Sequence, residues 1–212
     1  MLSITEIFCS VQGEGSDAGL VTVFVRLYGC NINCSYCDTT PEPSKAKNML
    51  ITDILDKVRS YKLKVRSVCV TGGEPLLQTD TYPLVYELLR CGYRVNIETS
   101  GCIYIAEDQY ARSYRYTMDI KCPSSNVSHK NVYSNLSRLK TIDEVKFVVF
   151  DVEDYNFAKR VLARYETKAK ILFSPVFVGN NPVISKELCN WIIKDKLDCR
   201  VSVQLQKILN VP

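Results

Sequence analysis

Histidine is nearly absent from this chain: His129 stands alone among 212 residues. A site that depends on paired imidazoles is therefore excluded. Long apolar runs are missing too. The longest, such as Phe147–Phe150, fall far short of the roughly 20 residues a membrane-spanning helix needs. The N-terminal stretch MLSITEIFCSVQGEG lacks both a basic start and an apolar core, so it does not read as a signal peptide. These absences point to a soluble, cytoplasmic protein. Nor is there a strong charge bias. Lys and Arg number 27 against 23 Asp and Glu, a formal +4 with both signs interspersed. The densest basic stretch, Lys62, Lys64 and Arg66, has only Tyr61 as a neighbouring aromatic. It reads as a solvated face rather than a nucleic-acid surface. No internal repeat or low-complexity segment divides the chain, so residues 1–212 are expected to form a single domain. A chain of this length buries roughly 70% of its unfolded surface and needs no disulfide or zinc staple.

Cysteine, by contrast, is plentiful, with ten residues. In a reducing compartment that count points to metal or redox chemistry rather than disulfides. Cys69, Cys91, Cys102, Cys189 and Cys199 lie in or beside apolar segments and read as small buried residues. Cys9 and Cys122 flank motifs described below and receive no role.

Short β-branched runs alternate with helical patterns. Strands are expected over Val21–Leu27, Ser67–Thr71, Arg94–Glu98, Tyr116–Asp119, Glu144–Phe150, Lys170–Pro175 and Arg200–Gln204. Helices are expected over Ile51–Ser60, Asp80–Arg90, Ile105–Tyr110, Val152–Arg164 and Ser185–Asp195, with Thr52 or Ser185 as possible caps and Gly92 as a helix stop. Alternating strands and helices imply a parallel sheet with right-handed crossovers. VKFVVF and ILFSPVF are apolar almost throughout, which suits burial on both faces. About six such units are too few to close an eight-stranded barrel, so the expected fold is α/β, an open partial (β/α) barrel of about six parallel strands. In such folds the chemistry gathers where strands end.

The first such end carries Gly29-Cys30-Asn31-Ile32-Asn33-Cys34-Ser35-Tyr36-Cys37-Asp38-Thr39. The C-x3-C-x2-C spacing puts three thiolates on one loop, enough for three corners of an iron–sulfur cube. The usual 4Fe–4S set has four cysteines; here the loop offers no fourth and His129 is remote, which leaves one iron open to a small molecule. Zinc asks for four ligands, usually as two separated pairs, and fits a lone triplet poorly. Three further motifs also follow strands. Val70-Thr71-Gly72-Gly73-Glu74-Pro75 combines a glycine turn that lets a ligand approach the backbone with a carboxylate suited to an ammonium. Ile97-Glu98-Thr99-Ser100-Gly101 places polar groups at the rim. Met118-Asp119-Ile120-Lys121-Cys122-Pro123 interrupts an apolar strand with charges that are costly unless paired or liganded.

Together these motifs resemble the radical S-adenosylmethionine superfamily, whose signature is C-x3-C-x2-C with an aromatic, here Tyr36, before the third cysteine. The resemblance implies a 4Fe–4S cluster on Cys30, Cys34 and Cys37, with S-adenosylmethionine bound at the open iron and cleaved to a hydrogen-abstracting radical. It implies cofactor contacts at Tyr36, Cys37, Asp38, Gly72, Gly73, Glu74, Glu98, Ser100, Asp119, Ile120, Lys121 and Ser174.

Gln12-Gly13-Glu14-Gly15 before the first expected strand, Arg26 four residues before Cys30, Cys37-Asp38-Thr39, and the ending Gln204-Leu205-Gln206-Lys207-Ile208-Leu209-Asn210-Val211-Pro212 narrow the choice. From Glu6 to Pro212 the chain resembles the 7-carboxy-7-deazaguanine synthase family. That likeness implies conversion of 6-carboxy-5,6,7,8-tetrahydropterin to 7-carboxy-7-deazaguanine with loss of ammonia, in queuosine-type 7-deazapurine biosynthesis. It implies substrate contacts at Val11, Gln12, Gly13, Glu14, Arg26, Thr71, Gln204 and the Pro212 carboxylate, and magnesium on Thr39. A flavodoxin or ferredoxin donor and a homodimer are implied as well. Gln206 stands where many relatives carry histidine, and Asn126 where they often have glycine, so the loop at Asn126 is expected to close differently. Two other readings are a glycyl-radical-enzyme activase, opposed by the Gln-Gly-Glu-Gly and Asn-Val-Pro segments, and a non-catalytic iron–sulfur carrier, which would need no Gly-Gly-Glu-Pro loop.

Overall fold

The computed structural model describes residues 1–37, 43–64, 66–106 and 113–212. Its main sheet contains β1 (Leu2–Val11), β2 (Val21–Leu27), β3 (Lys47–Met49), β4 (Ser67–Gly72), β5 (Arg94–Thr99), β6 (Arg115–Ile120), β7 (Glu144–Val149), β8 (Lys170–Pro175) and β11 (Arg200–Val201); a small hairpin, β9 (Phe177–Val178) and β10 (Asn181–Pro182), follows β8. The order is linear, β11-β8-β7-β6-β5-β4-β2-β1-β3, so the described sheet does not close. From β2 to β11 every neighbouring pair is parallel. Six full strands plus the two-residue β11 make up the open barrel expected from the sequence.

Four helices cover the outer face: α1 (Ile51–Ser60), α2 (Thr81–Arg90), α3 (Val152–Arg164) and α4 (Ser185–Asp195); a short α5 (Leu205–Leu209) lies near the C-terminus. Strand alternation explains the layering. Val23, Val25, Val68, Val70, Val95, Ile97, Met118, Ile120, Val145 and Phe147 point outward and pack with Ile54, Leu84, Leu88, Ala158 and Leu188 of the helices. Each fully buried Leu or Ile there contributes about 1.5–3 kcal/mol. The inward face instead bears Arg26, Thr71, Glu98, Thr117, Asp119 and Lys146, so the strands are not apolar on both faces.

Several expectations need correction. Leu2–Val11 is a strand, antiparallel to β2, and with β3 it closes the β2 side of the sheet. Its sequence, LSITEIFCSV, alternates imperfectly. Arg200–Gln204 shrinks to Arg200–Val201. Of Ile105–Tyr110, residues 105 and 106 are irregular and the rest lies outside the described residues. Neither Thr52 nor Ser185 caps a helix; the flanking positions are Leu50 and Ile184, without side-chain caps. Asp151 does cap α3, accepting from the Asp154 amide at 3.0 Å. Gly92 stops α2 at φ +79°. Asn126 adopts φ +62°, the left-handed conformation that Asn tolerates best among non-glycine residues.

Candidate active site

Three segments pin the cysteine loop. The Glu74 amide donates to Gly29 O at 2.8 Å, and the Gly73 amide to Leu27 O at 3.2 Å. A Cβ on Gly73 would sit 2.1 Å from Gly29 O and 2.9 Å from the Cys30 Cβ, so only glycine allows this approach. From the other side, the Ser35 amide donates to Ser125 O at 3.1 Å, its hydroxyl to Ser124 O at 2.5 Å, and Lys130 Nζ to Asn31 O at 3.1 Å. Burial pushes the Cys34 thiol pKa up, opposed by the Lys121 ammonium; Cys37, Asp119 and Cys30 are near enough to raise it further. Among the described residues no three His, Cys, Asp or Glu side chains are placed to hold a single metal ion. The three thiols line a shared wall.

Glu74 is fully buried. Its carboxylate accepts from the Leu76 amide (2.9 Å), the Thr99 hydroxyl (2.8 Å), the Ser100 amide (2.7 Å) and the Ser100 hydroxyl (2.5 Å). The side chain thus ties the Gly-Gly-Glu-Pro loop to the end of β5 and turns away from the cavity.

A polar band crosses the inner face of the sheet. Gln12 Nε2 donates to Glu98 Oε1 at 3.0 Å, and the Thr71 hydroxyl to Glu98 Oε2 at 3.0 Å. Burial raises the pKa of Glu98, and the charge of Glu14 adds to the rise; Lys146 opposes it. Glu14 accepts from Gln204 Nε2 at 2.9 Å and pairs with Lys146. Lys146 lies 3.3 Å from Asp119, which also pairs with Lys121 at 2.6 Å. Register explains the meeting: Asp119 and Lys146 are direct partners on β6 and β7, as Arg26 and Thr71 are on β2 and β4. Arg26 Nε donates to Glu6 at 2.7 Å, and its guanidinium lies 5.5 Å from the Phe8 ring centroid.

The C-terminal segment completes the enclosure. The Leu205 amide donates to Gly13 O at 3.0 Å, and the Ser10 hydroxyl to Pro212 O at 2.6 Å. A Cβ on Gly13 would sit 1.5 Å from Gln206 Oε1, so the end of the Gln206 side chain occupies the space that the glycine leaves open.

One cavity of about 760 Å³ gathers most of the expected site, a size usual for small-ligand pockets. Val11, Gln12, Gly13, Glu14, Arg26, Thr71, Gln204 and Pro212 line it, as do Tyr36, Gly72, Gly73, Glu98, Ser100, Asp119, Lys121 and the three cysteines. Glu74, Ile120 and Ser174 do not: the first is engaged internally, Ile120 points outward, and Ser174 is buried beside Val148. Asp38 and Thr39 lie outside the described residues. Sequence reasoning missed Lys146, Glu6 and Phe8. A charge interrupting an apolar strand flagged Asp119 and Lys121, and the same signal was present in the EVKFVV of β7.

The Radical SAM superfamily profile matches residues 24–156. A 7-carboxy-7-deazaguanine synthase from Methanospirillum hungatei is 38% identical over all of this chain and 86% of that protein. The chain belongs to the 7-carboxy-7-deazaguanine synthase family. A family member from Chlorobaculum tepidum is 37% identical over 98% of this chain and 94% of its own. The crystal structure of QueE from Escherichia coli superposes with a TM-score of 0.79 at 25% identity, covering 96% of this chain and 94% of that one.

The family's 4Fe–4S cluster and S-adenosylmethionine fit what these residues offer. Three thiols stand on one loop beside a glycine turn that leaves backbone exposed. The Tyr36 hydroxyl and Gln206 Oε1, both on the cavity wall, are buried without a hydrogen-bond partner among the described residues. Burial drives the Tyr36 phenol pKa strongly up, so it stays a neutral donor. A buried polar group without a partner costs about 1–3 kcal/mol, which a ligand in the cavity would offset.

Proposed function

We propose that the protein converts 6-carboxy-5,6,7,8-tetrahydropterin to 7-carboxy-7-deazaguanine with loss of ammonia, a step in 7-deazapurine biosynthesis. The observation that carries this reading is the single cavity in which the cysteine triplet, the glycine turn, the Gln12–Glu14 hairpin and Arg26 meet. Cys30, Cys34 and Cys37 would hold the 4Fe–4S cluster, which together with S-adenosylmethionine would supply hydrogen-atom abstraction; the chain positions the substrate and excludes water. Gln12 and Glu14 face the amide–amine edge of the pterin. Both Glu14 oxygens are engaged, by Gln204 and Lys146, yet each retains a lone pair for a substrate N–H. Arg26 takes the substrate carboxylate in place of Glu6. The Glu6 side chain is half exposed, and such pairs are worth only about 0–1 kcal/mol, so the exchange costs little.

The same reading places magnesium on Thr39, a flavodoxin or ferredoxin as electron donor, a homodimer, and a cytoplasmic location. No described helix is long and apolar enough to cross a membrane. The test is anaerobic incubation of reduced, reconstituted protein with S-adenosylmethionine, magnesium and carboxytetrahydropterin, with products read by mass spectrometry. The expected product is 7-carboxy-7-deazaguanine at many turnovers per S-adenosylmethionine. Stoichiometric 5′-deoxyadenosine without it would favour the activase reading. Thr39→Ala is expected to keep the cluster and to blunt the response of the rate to magnesium.

Arg26→Ala is expected to lower kcat/KM for carboxytetrahydropterin about ten- to a hundredfold, since a charge-assisted bond is worth about 1.5–3 kcal/mol. The cluster's absorbance should be unchanged. Lysine should rescue poorly, because it lacks the planar fork. If Arg26 served only to pair with Glu6, Arg26→Ala would shift Tm and leave kcat/KM intact.

A further inference from the structure

Lys146 belongs to none of the cofactor or substrate motifs, yet it lies at the centre of the polar band. It occupies the third position of β7, flanked on its strand face by Glu144 and Val148. The side chains of Lys146 and Glu14 are each 13% exposed, and that of Asp119 is 17%. The ammonium therefore bridges two nearly buried carboxylates, one on the β1–β2 hairpin and one on β6. Burial alone would lower the pKa of Lys146. Asp119, Glu14 and Glu98 outweigh it and raise the pKa well above the usual lysine value, so the bridge is a cation.

The two arms of the bridge are unequal. Asp119 has a second cation, Lys121, at 2.6 Å. Among the described residues, the Glu14 carboxylate otherwise meets the neutral amide of Gln204, and the carboxylate of Glu98 lies close enough to feel its charge. Removing Lys146 leaves Asp119 paired but leaves the nearly buried Glu14 facing a like charge. The hairpin itself has separate anchors. The Ser16 amide donates to Glu144 at 2.7 Å, Arg115 pairs with Asp17 at 2.8 Å, and Leu205 holds Gly13 O. Loss of Lys146 should therefore alter the aim of Glu14 without unfolding the loop.

We propose that Lys146 is a positioning residue for the substrate: it holds the Glu14 carboxylate in place against the N–H edge of the pterin. The proposal rests on the functional reading above. It assigns to Lys146 a role in substrate affinity and none in binding S-adenosylmethionine, even though the lysine touches Asp119.

The test compares Lys146→Met, Lys146→Arg, Glu14→Gln and the double variant Glu14→Gln/Lys146→Met as reconstituted holoenzymes. Lys146→Met is expected to raise KM for carboxytetrahydropterin at least about tenfold while changing kcat less than about threefold, the signature of lost binding rather than lost chemistry. The dissociation constant of S-adenosylmethionine, measured by equilibrium dialysis, should stay within about twofold. Lys146→Arg should recover part of the KM. In the Glu14→Gln background, Lys146→Met should add less than about twofold, because two residues acting through one contact are not additive. The proposal is overturned if KM for Lys146→Met stays within twofold of wild type. It is equally overturned if affinity for S-adenosylmethionine falls as far as affinity for substrate, or if the two substitutions multiply. Should Lys146→Met not fold, Lys146→Arg and the double variant decide the matter by the same KM comparison. Wild-type protein that forms no 7-carboxy-7-deazaguanine removes the functional reading itself. Wild-type turnover with an indifferent Lys146 removes only the proposal.

Discussion

Alanine at Cys30, Cys34 or Cys37 is expected to abolish both the cluster and all turnover. These three thiols share one loop and one cavity wall, and iron–sulfur clusters are held by cysteine thiolates. With the open iron already committed to the cofactor, losing one of three protein ligands leaves two, too few to retain a cube. Iron and acid-labile sulfide after anaerobic reconstitution should fall from about four of each per chain to near zero, and the broad visible absorbance should vanish. Cys189→Ala is the control. Cys189 sits on α4, remote from this wall, and its replacement should leave iron content and rate unchanged. Four sulfur ligands around zinc in an X-ray absorption spectrum would overturn the assignment.

Glu74→Ala is expected to destabilise the folded protein by at least about 3 kcal/mol, because four donor groups lose their acceptor in a buried setting and each costs about 1–3 kcal/mol when unsatisfied. The affected donors are the amides of Leu76 and Ser100 and the hydroxyls of Thr99 and Ser100. Glu74→Gln retains an acceptor and the side-chain volume, so its cost should be smaller, about 1–2 kcal/mol. The urea midpoint of unfolding is the measurement. Affinity for S-adenosylmethionine should fall in step with stability, since the loop carrying Gly72 and Gly73 is what Glu74 fastens. If Glu74→Ala lost cofactor affinity at unchanged stability, the carboxylate would have to be a direct cofactor ligand, as the motif alone suggested.

Glu74 shows how far the motif could be read. Gly-Gly-Glu-Pro marks a ligand-holding loop, and the structure puts Gly72 and Gly73 on the cavity. Sequence spacing carries no direction for a side chain, however, and Glu74 points away from the cavity, to Thr99 and Ser100, 25 and 26 residues away. Arg26 repeats the lesson. Its place beside the cysteine loop was legible, whereas its partner was not: antiparallel pairing of β1 with β2 brings Glu6 opposite Arg26. β1 itself went unread because its alternation is broken by the irregular register near Ile4 and Glu6.

The sequence by itself determined the class of chemistry and the architecture. The C-x3-C-x2-C spacing places three thiols within one loop, as the radical SAM superfamily has them, and the repeated strand–helix units specify a parallel sheet through hydrophobic periodicity. Both signals are short-range. What only the tertiary structure decided is which polar side chains face one another across that sheet. Asp119 and Lys146 are 27 positions apart and become partners through strand register. Glu14 reaches Lys146 and Gln204 because the β1–β2 hairpin and the C-terminal segment converge on the sheet's inner face. Such contacts follow from strand order and crossover geometry, and a buried ion pair between distant strands leaves no periodic trace in the chain.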